Sequence, residues 1–464
     1  MPVAHIDAYR PRAGLRWLPA ALGLGGLVGS LSVVSPAAIL LAIAGSATLS
    51  FLFVVQTEAA ILAILFIRPI LDLLPAALNV PGFAKGFGLP EMVALLLAIG
   101  GGLLILARRI DPFRIPAALP FVALLLVGVA SFASSGNPQL TTIAVLRLAG
   151  QLSLFVLVYS YLRTREQLDR LLSVIVLSAL PPLLWGFSQV VAGHGRFAPQ
   201  VLKEGITHAR LEGPFGGGLT VGIFLVIPVV LALVNAVESR GSVRKAVFAG
   251  LASLMFVALY FTLARSAWLA IGVVVAVLAT VRYRKLLLLA PVALVILVVA
   301  VPGIRQRWEP VFTDTGETTA AGRFERWEGA LQVFQSNILL GAGLGVGDVK
   351  AGEMATGQAT PAHGDYFRVL ADMGVVGLAA FLWLLAATGW EGLKAYRAAR
   401  SPYYRAVALC FCAVWVAFLV MRTAGNVLTH QVFQYYFWAL TAATFAIAKI
   451  EAGSTGGAAD GARG

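Results

Sequence analysis

The chain has 464 residues, of which 59% are hydrophobic and only 12% charged. A water-soluble domain does not carry that balance. Apolar runs of about 17–25 residues recur along the whole length, which is the pattern of a polytopic helical membrane protein rather than of a transmembrane barrel with its weaker alternating segments. The formal charge of +13 would suggest nucleic acid in a soluble protein. Here the basic residues gather in short loops between apolar runs, where topology accounts for them, and no nucleic-acid partner is expected.

In chain order, spans are expected at about 15–33, 37–55, 58–75, 89–107, 116–134, 140–162, 168–192, 215–237, 245–263, 266–281, 286–302, 365–388, 405–422 and 430–448. That makes fourteen, or twelve if two short ones form a re-entrant pair. The fold class expected is therefore all-α, with 12–14 transmembrane helices and one large outer loop, about 303–363, containing short helices. The first run is followed at once by others, so it reads as a span and not as a cleaved signal peptide. With Arg10, Arg12 and Arg16 in the cytoplasm, alternation puts Arg108, Arg109 and Arg114 inside, and likewise the basic groups around Arg163, Arg240, Arg282 and Arg397. Most of the 35 Lys and Arg residues then face inward. The outer positives concentrate in the loop 193–213, the turn 264–266 and the loop 303–363. Topology leaves these unexplained.

The halves of the chain do not match in loop length or charge, which argues against an inverted-repeat transporter. Residues 451–464, rich in Gly and Ala, read as a disordered cytoplasmic tail. Cys410 and Cys412 lie two apart in an apolar run and point to different faces, so neither a disulfide nor a metal pair is expected.

Four places carry residues suited to chemistry. Thr360-Pro361 suggests an N-cap and first turn, which puts His363 in the first turn of a long helix. There the helix dipole disfavours imidazolium, and a neutral ring can act as a general base. Asp365 and Tyr366 could orient it; a plain interfacial cap is the alternative. Arg265 sits in a tight turn between two apolar runs, where a charge is costly unless paired or wet. Arg210 lies in the second-largest outer loop, ahead of Gly216-Gly217-Gly218, which would let backbone amides approach an anion. Arg323 and Arg326 lie on a stretch whose Phe324, Trp327, Leu331 and Phe334 recur at helical spacing, as in a helix lying on a membrane surface. They could share one anion or pair locally with Glu325 and Glu328. Gly341-Ala342-Gly343-Leu344-Gly345-Val346-Gly347 is not a nucleotide loop, since no strand precedes it and no Gly-Lys-Ser/Thr follows. Within spans, Arg68, Arg147, Asp372 and Arg422 are costly charges, and Asp72 is placed four residues after Arg68 for a helical pair.

One histidine and several arginines thus converge on one side of the membrane, without a cluster of metal-ligand spacing. Arginine matches phosphate oxygens in a bidentate way. The combination suggests metal-free handling of a phosphorylated, membrane-anchored substrate.

Several segments, in this order, resemble the O-antigen ligase and polymerase family. Arg210-Leu211-Glu212-Gly213-Pro214-Phe215-Gly216 is similar to its Arg-x-x-Gly-x-Phe-Gly segment. Tyr260 through Leu269, with Arg265-Ser266, resembles its Ser-Arg-Gly type span. Gly322-Arg323 through Trp327 and Gly341 through Gly345 resemble its large periplasmic loop. Ala362-His363-Gly364-Asp365-Tyr366, with Leu370, Gly374 and Gly377, resembles its His-Asn-x-x-Leu…Glu-x-Gly-x-x-Gly segment. Gly364, Phe367 and Asp372 depart from that pattern, as does the order Arg265-Ser266.

The resemblance covers about 210–450 and leaves 1–209 as N-terminal transmembrane helices. It implies an inverting glycosyltransferase of the bacterial cytoplasmic membrane, with its active site facing the exterior. The donor would be a glycan on a polyprenyl (undecaprenyl) diphosphate. A polysaccharide polymerase is the first expectation, an O-antigen ligase acting on lipid A core the second, and a lipid-linked oligosaccharide flippase the alternative of another class. His363 would be the base. Arg265, Arg210, Arg323 and Arg326 would hold the diphosphate, with Asp365, Tyr366 and Arg422 in support. No cofactor is implied; membrane lipids, a glycan or lipid acceptor and a chain-length regulator are the implied partners.

Overall fold

The computed structural model describes residues 53, 55–72, 88–192, 200–202, 206–208, 211–215, 217–239, 241–284, 320–357 and 364–460. The expected spans at 15–33, 37–55 and 286–302 lie essentially outside them, as do Arg210 and His363. The described residues form an all-α bundle, save for a pair of three-residue antiparallel strands, Gln200–Leu202 and Ile206–His208. Seven described helices are long and apolar enough to cross a membrane, and Ala118–Ser134 and Arg265–Val281 are shorter apolar ones.

In chain order the helices are α1 (Thr57–Leu71), α2 (Leu89–Leu95), α3 (Gly102–Ala107), α4 (Ala118–Ala130), α5 (Pro138–Tyr161), α6 (Arg165–Leu177) and α7 (Leu180–Ala192). Then come α8 (Gly218–Glu238), α9 (Ser242–Thr262), α10 (Arg265–Val281), α11 (Ala320–Ser336), α12 (Gly347–Thr356), α13 (Asp365–Ala398), α14 (Pro402–Ala424) and α15 (Gln431–Asp460). A π-helical stretch, Leu96–Gly101, joins α2 to α3. Local chemistry sets several starts. The Asn137 side chain accepts from the Leu140 amide at the head of α5, and Thr164 and Gln167 cap α6 reciprocally.

α8 and α15 are the inner helices. Phe224, Ile227 and Val230 of α8 are fully enclosed, as are Phe433, Tyr436 and Phe437 of α15. Phe433 stacks on Phe418 of α14 at 3.9 Å between centroids, and Trp438 meets Phe121 of α4 at 4.3 Å. Outward-facing Leu106, Leu126, Leu184 and Trp390 are each more than half exposed, which suits a hydrocarbon surround.

α13 is broken at Gly374, where φ is 64° and ψ −163°. The segment after α11 mends the break. Ala342 and Gly343 amides donate to the carbonyls of Ala371 (2.9 Å) and Asp372 (3.0 Å), and the Val375 amide donates to Ile338 O at 2.9 Å. Backbone groups freed inside a spanning helix must find partners of this kind. A Cβ on Gly374 would stand 2.3 Å from Leu339 O, so only glycine fits. The same strap reaches α4: the Leu344 amide donates to Ser131 Oγ at 3.0 Å.

At the far end, α15 continues to Asp460, past the residue at which a disordered tail was expected to begin. Its Glu451 accepts from the amides of Arg400 and Ser401, which ties this stretch to the α13–α14 turn.

Candidate functional site

The loop end of the bundle gathers the heads of α5, α10, α13 and α15, the tail of α14, and α11 and α12 above them. The turn holding Arg265 is as tight as expected. Leu263 adopts the left-handed conformation (φ 51°) and α10 starts two residues later. Thr262 Oγ1 accepts from the Ala264 amide at 3.3 Å, and Trp268 Nε1 donates to Leu259 O at 2.9 Å. Gly222 of α8 lies so close that a Cβ there would stand 2.7 Å from Ala267 Cβ. Leu211, next in the chain to Arg210, donates its amide to Phe261 O at 2.8 Å. The segment that follows Arg210 is therefore docked on the turn that precedes Arg265.

α11 forms over the stretch where a surface helix was expected. Arg323 is half-buried and near enough to Arg265 for their charges to repel. Burial also pulls the Arg323 guanidinium below its ordinary range. Two cations drawn together at a partly desolvated place are eased by an anion between them. Arg326, three residues on, is 5% exposed and turns into the protein rather than beside Arg323. Arg323 and Arg326 therefore lie in different surroundings, and the charge of Arg323 reaches Arg265.

The same helix reaches the head of α13. Trp327 stacks on Phe367 with centroids 4.8 Å apart and planes 14° from parallel. Gly364 beside them has φ +145°, and a Cβ on it would stand 3.0 Å from Trp327 Nε1 and 3.2 Å from Thr423 O. Here is the physical counterpart of the glycine and phenylalanine that depart from the resembled pattern: the indole fills the space. Phe324, by contrast, is largely exposed and meets Trp327 edge-on.

The first turn of α13 is clamped. Asp365 accepts from Arg422 Nη1 at 3.0 Å and from the Leu428 amide at 3.1 Å, and the Gly364 amide donates to Asn426 Oδ1 at 3.1 Å. Arg422 also stacks on Phe381 at 5.3 Å. So Arg422 is the ion-pair partner of Asp365. Tyr366 Oη donates to Leu419 O at 3.4 Å, pointing along α14. One turn further, Arg368 meets both Asp372 (3.4 Å) and Asp348 (3.5 Å), and Asp372 Oδ1 accepts from the Asp348 amide at the head of α12. Asp372 is thus a joint between the broken helix and the loop above it.

His430, just ahead of α15, escaped the sequence reading. It stands within electrostatic reach of Arg368, and burial together with that cation pushes its imidazole down to about 4, so the ring is neutral at physiological pH. The available signal was a histidine at the edge of an apolar run. Among the described residues, no group of three or more His, Cys, Asp or Glu could hold a metal ion.

The O-Antigen ligase family model matches residues 250–382. This stretch begins in α9, takes in α10, α11 and α12, and ends midway along α13. It includes Arg265, Arg323, Arg326, His363, Asp365 and Tyr366, while Arg210 and Arg422 fall outside it. No curated protein matches the chain.

Proposed function

We propose, on the premise that residues 250–382 form an O-antigen ligase-family region, that this multi-pass membrane protein is a glycan-transferring enzyme of O-antigen or related polysaccharide assembly. The observation that supports this best is a single line of contact. Arg265 and Arg323 are within electrostatic reach of each other; Arg323 shares a helix with Trp327; Trp327 lies on Phe367 and Gly364, next in the chain to His363. Two arginines suited to an anion and the residue that follows His363 in the chain thereby lie along one line of contact.

In the finer reading, the donor is a glycan on a polyprenyl diphosphate, presented from the outer leaflet of the cytoplasmic membrane. An acceptor hydroxyl attacks the anomeric carbon from the face opposite the diphosphate. The new C–O bond forms as the bond to the diphosphate breaks, with inversion. His363 takes the hydroxyl proton. Arg265 and Arg323, with Arg210 and Arg326 in support, hold the negative charge that grows on the leaving diphosphate. The Asp365–Arg422 pair holds the turn from which the base acts. We assign the polymerase role, with the growing lipid-linked glycan as acceptor; transfer to lipid A core is the alternative.

Purified protein given only lipid-diphosphate glycan should lengthen it, and His363→Ala, inserted and folded, should not. Growth only after lipid A core is added would make the protein a ligase. Undiminished product from His363→Ala would remove the base assigned here. Translocation of intact lipid-linked glycan in vesicles, with no new glycosidic bond, would favour a flippase.

A further inference from the structure

Beside the arginine site, the loop end holds a second polar assembly, built by helices outside the family-matched stretch. Arg147 of α5 pairs with Glu91 of α2, and Glu91 also accepts from the Gly88 amide at 2.8 Å. One turn along α5, Gln151 Nε2 donates to Gln431 Oε1 of α15 at 3.0 Å. Arg68 of α1 pairs with Asp72 at 3.0 Å and lies 5.8 Å from the ring centre of Tyr435, one turn after Gln431. Asp72 is within electrostatic reach of Glu91 and Arg147 as well as Arg68, so the two ion pairs form one group. His430 adjoins Gln431 and faces Arg368 of the clamp. A continuous polar track thus runs from α1 and α2 across α5 and α15 to the head of α13.

Two features separate this track from a closed structural network. Its inner members are under-satisfied. Tyr435 is only 1% exposed, lies within electrostatic reach of Arg68, Arg147 and Glu91, and its hydroxyl has no hydrogen-bond partner among the described residues. The Nε atoms of Arg68 and Arg147 are in the same state. Buried polar atoms are nearly always satisfied, and in a membrane an orphan costs more because no bulk water reaches it. Its outer members are accessible: the Arg147 side chain is 32% exposed and Asp72 25%, and Gln431 and His430 are partly open.

The chemistry of the track differs from that of the arginine site. Each arginine here has its own carboxylate, so the group carries no net charge to attract a diphosphate. What it offers is a dense set of planar donors and acceptors, two amides, a neutral imidazole and a phenol. Neutral vicinal hydroxyls, each both donor and acceptor, match that set.

We propose that the track is the binding groove for the acceptor glycan, with sugar hydroxyls meeting its open members, the side chains of Arg147, Asp72 and Gln431. This rests on the glycosyltransferase reading above. The geometry then divides the loop end into an anion-holding side on α10 and α11 and a hydroxyl-holding side on α2, α5 and α15. The head of α13 lies between them, where donor and acceptor must meet.

The test uses full-length protein in detergent and two probes. One is the glycan released by mild acid from the lipid-linked pool of the producing cells, freed of lipid and phosphate; the other is inorganic pyrophosphate. Wild type should bind the released glycan, and Gln431→Ala should weaken that binding at least tenfold while leaving pyrophosphate affinity unchanged. A purely structural role for Gln431, which accepts from Gln151, predicts lower thermal stability with unchanged glycan affinity. That result, or no glycan binding by a wild type that turns over its donor, overturns the proposal. Failure of the glycosyltransferase reading shows itself separately, as a wild type that never consumes lipid-diphosphate glycan.

Discussion

Asp365→Asn probes the clamp at the head of α13. The substitution preserves size, and the amide oxygen can still accept from the Leu428 amide, 3.1 Å away in the native arrangement. What it removes is the charge facing Arg422. Both side chains are enclosed, at 0% and 2% exposure, so solvent does not screen the loss. Removing one partner of a buried pair typically costs about 3–5 kcal/mol, because the other charge is left desolvated and alone. A destabilisation of about 3–5 kcal/mol is expected, read from equilibrium unfolding in mixed micelles. The double variant Asp365→Asn/Arg422→Met should recover most of it, since no buried charge remains. It should not recover glycan transfer, because the turn ahead of Asp365 is no longer tied to α14. If Asp365→Asn alone costs under about 1 kcal/mol, the pair is hydrated in solution and the argument from burial collapses.

Three further outcomes follow from other parts of the molecule. Gly374→Ala should cost more than about 1 kcal/mol for the positive φ alone, and the clash with Leu339 O should free the strap, seen as faster proteolysis within residues 320–357; an unchanged cleavage rate would show that the break tolerates a side chain. The depressed His430 pKa makes acid destabilising in a defined window. The unfolded chain takes up the proton near pH 6.5 and the folded one only near 4, so stability falls as pH drops between these values, by at most about 3 kcal/mol, and His430→Gln should flatten that slope. Glycan transfer should continue in EDTA, given arginines in place of a metal at the leaving group; a strict requirement for a divalent cation would defeat that scheme.

The residues explain how far the sequence could be read. Apolar periodicity located α5, α8, α9 and α10 to within a few residues, since each must be apolar along its own length. The Arg68–Asp72 pair was legible because both partners lie on one helix, four residues apart. Arg147 was visible as a costly charge, but its partner Glu91 lies 56 positions away, and Gln151 meets Gln431 across 280. Nothing local distinguishes such partners from other polar residues in apolar runs. For the same reason the N-terminal half read as apolar spans alone, although it supplies α1, α2 and α5 to the polar track. The break in α13 was hidden for another reason: Gly374 fits an ordinary helical pattern, and only the strap that fills the gap reveals the left-handed turn. Arg326 shows the limit of spacing arguments, since a separation of three puts residues near one face without deciding which of them is turned inward.

The strap has a consequence for biosynthesis. Residues 338–343 leave the ribosome before the helix they complete. α13 then inserts with its middle amides and carbonyls unmet, and it becomes a finished element only when the earlier segment folds back onto it. Maturation of this end of the bundle is therefore vectorial. A chain stalled or cut between residues 357 and 364 would carry a complete strap with nothing to mend, and one lacking the strap would leave a helix whose freed backbone groups have no partner.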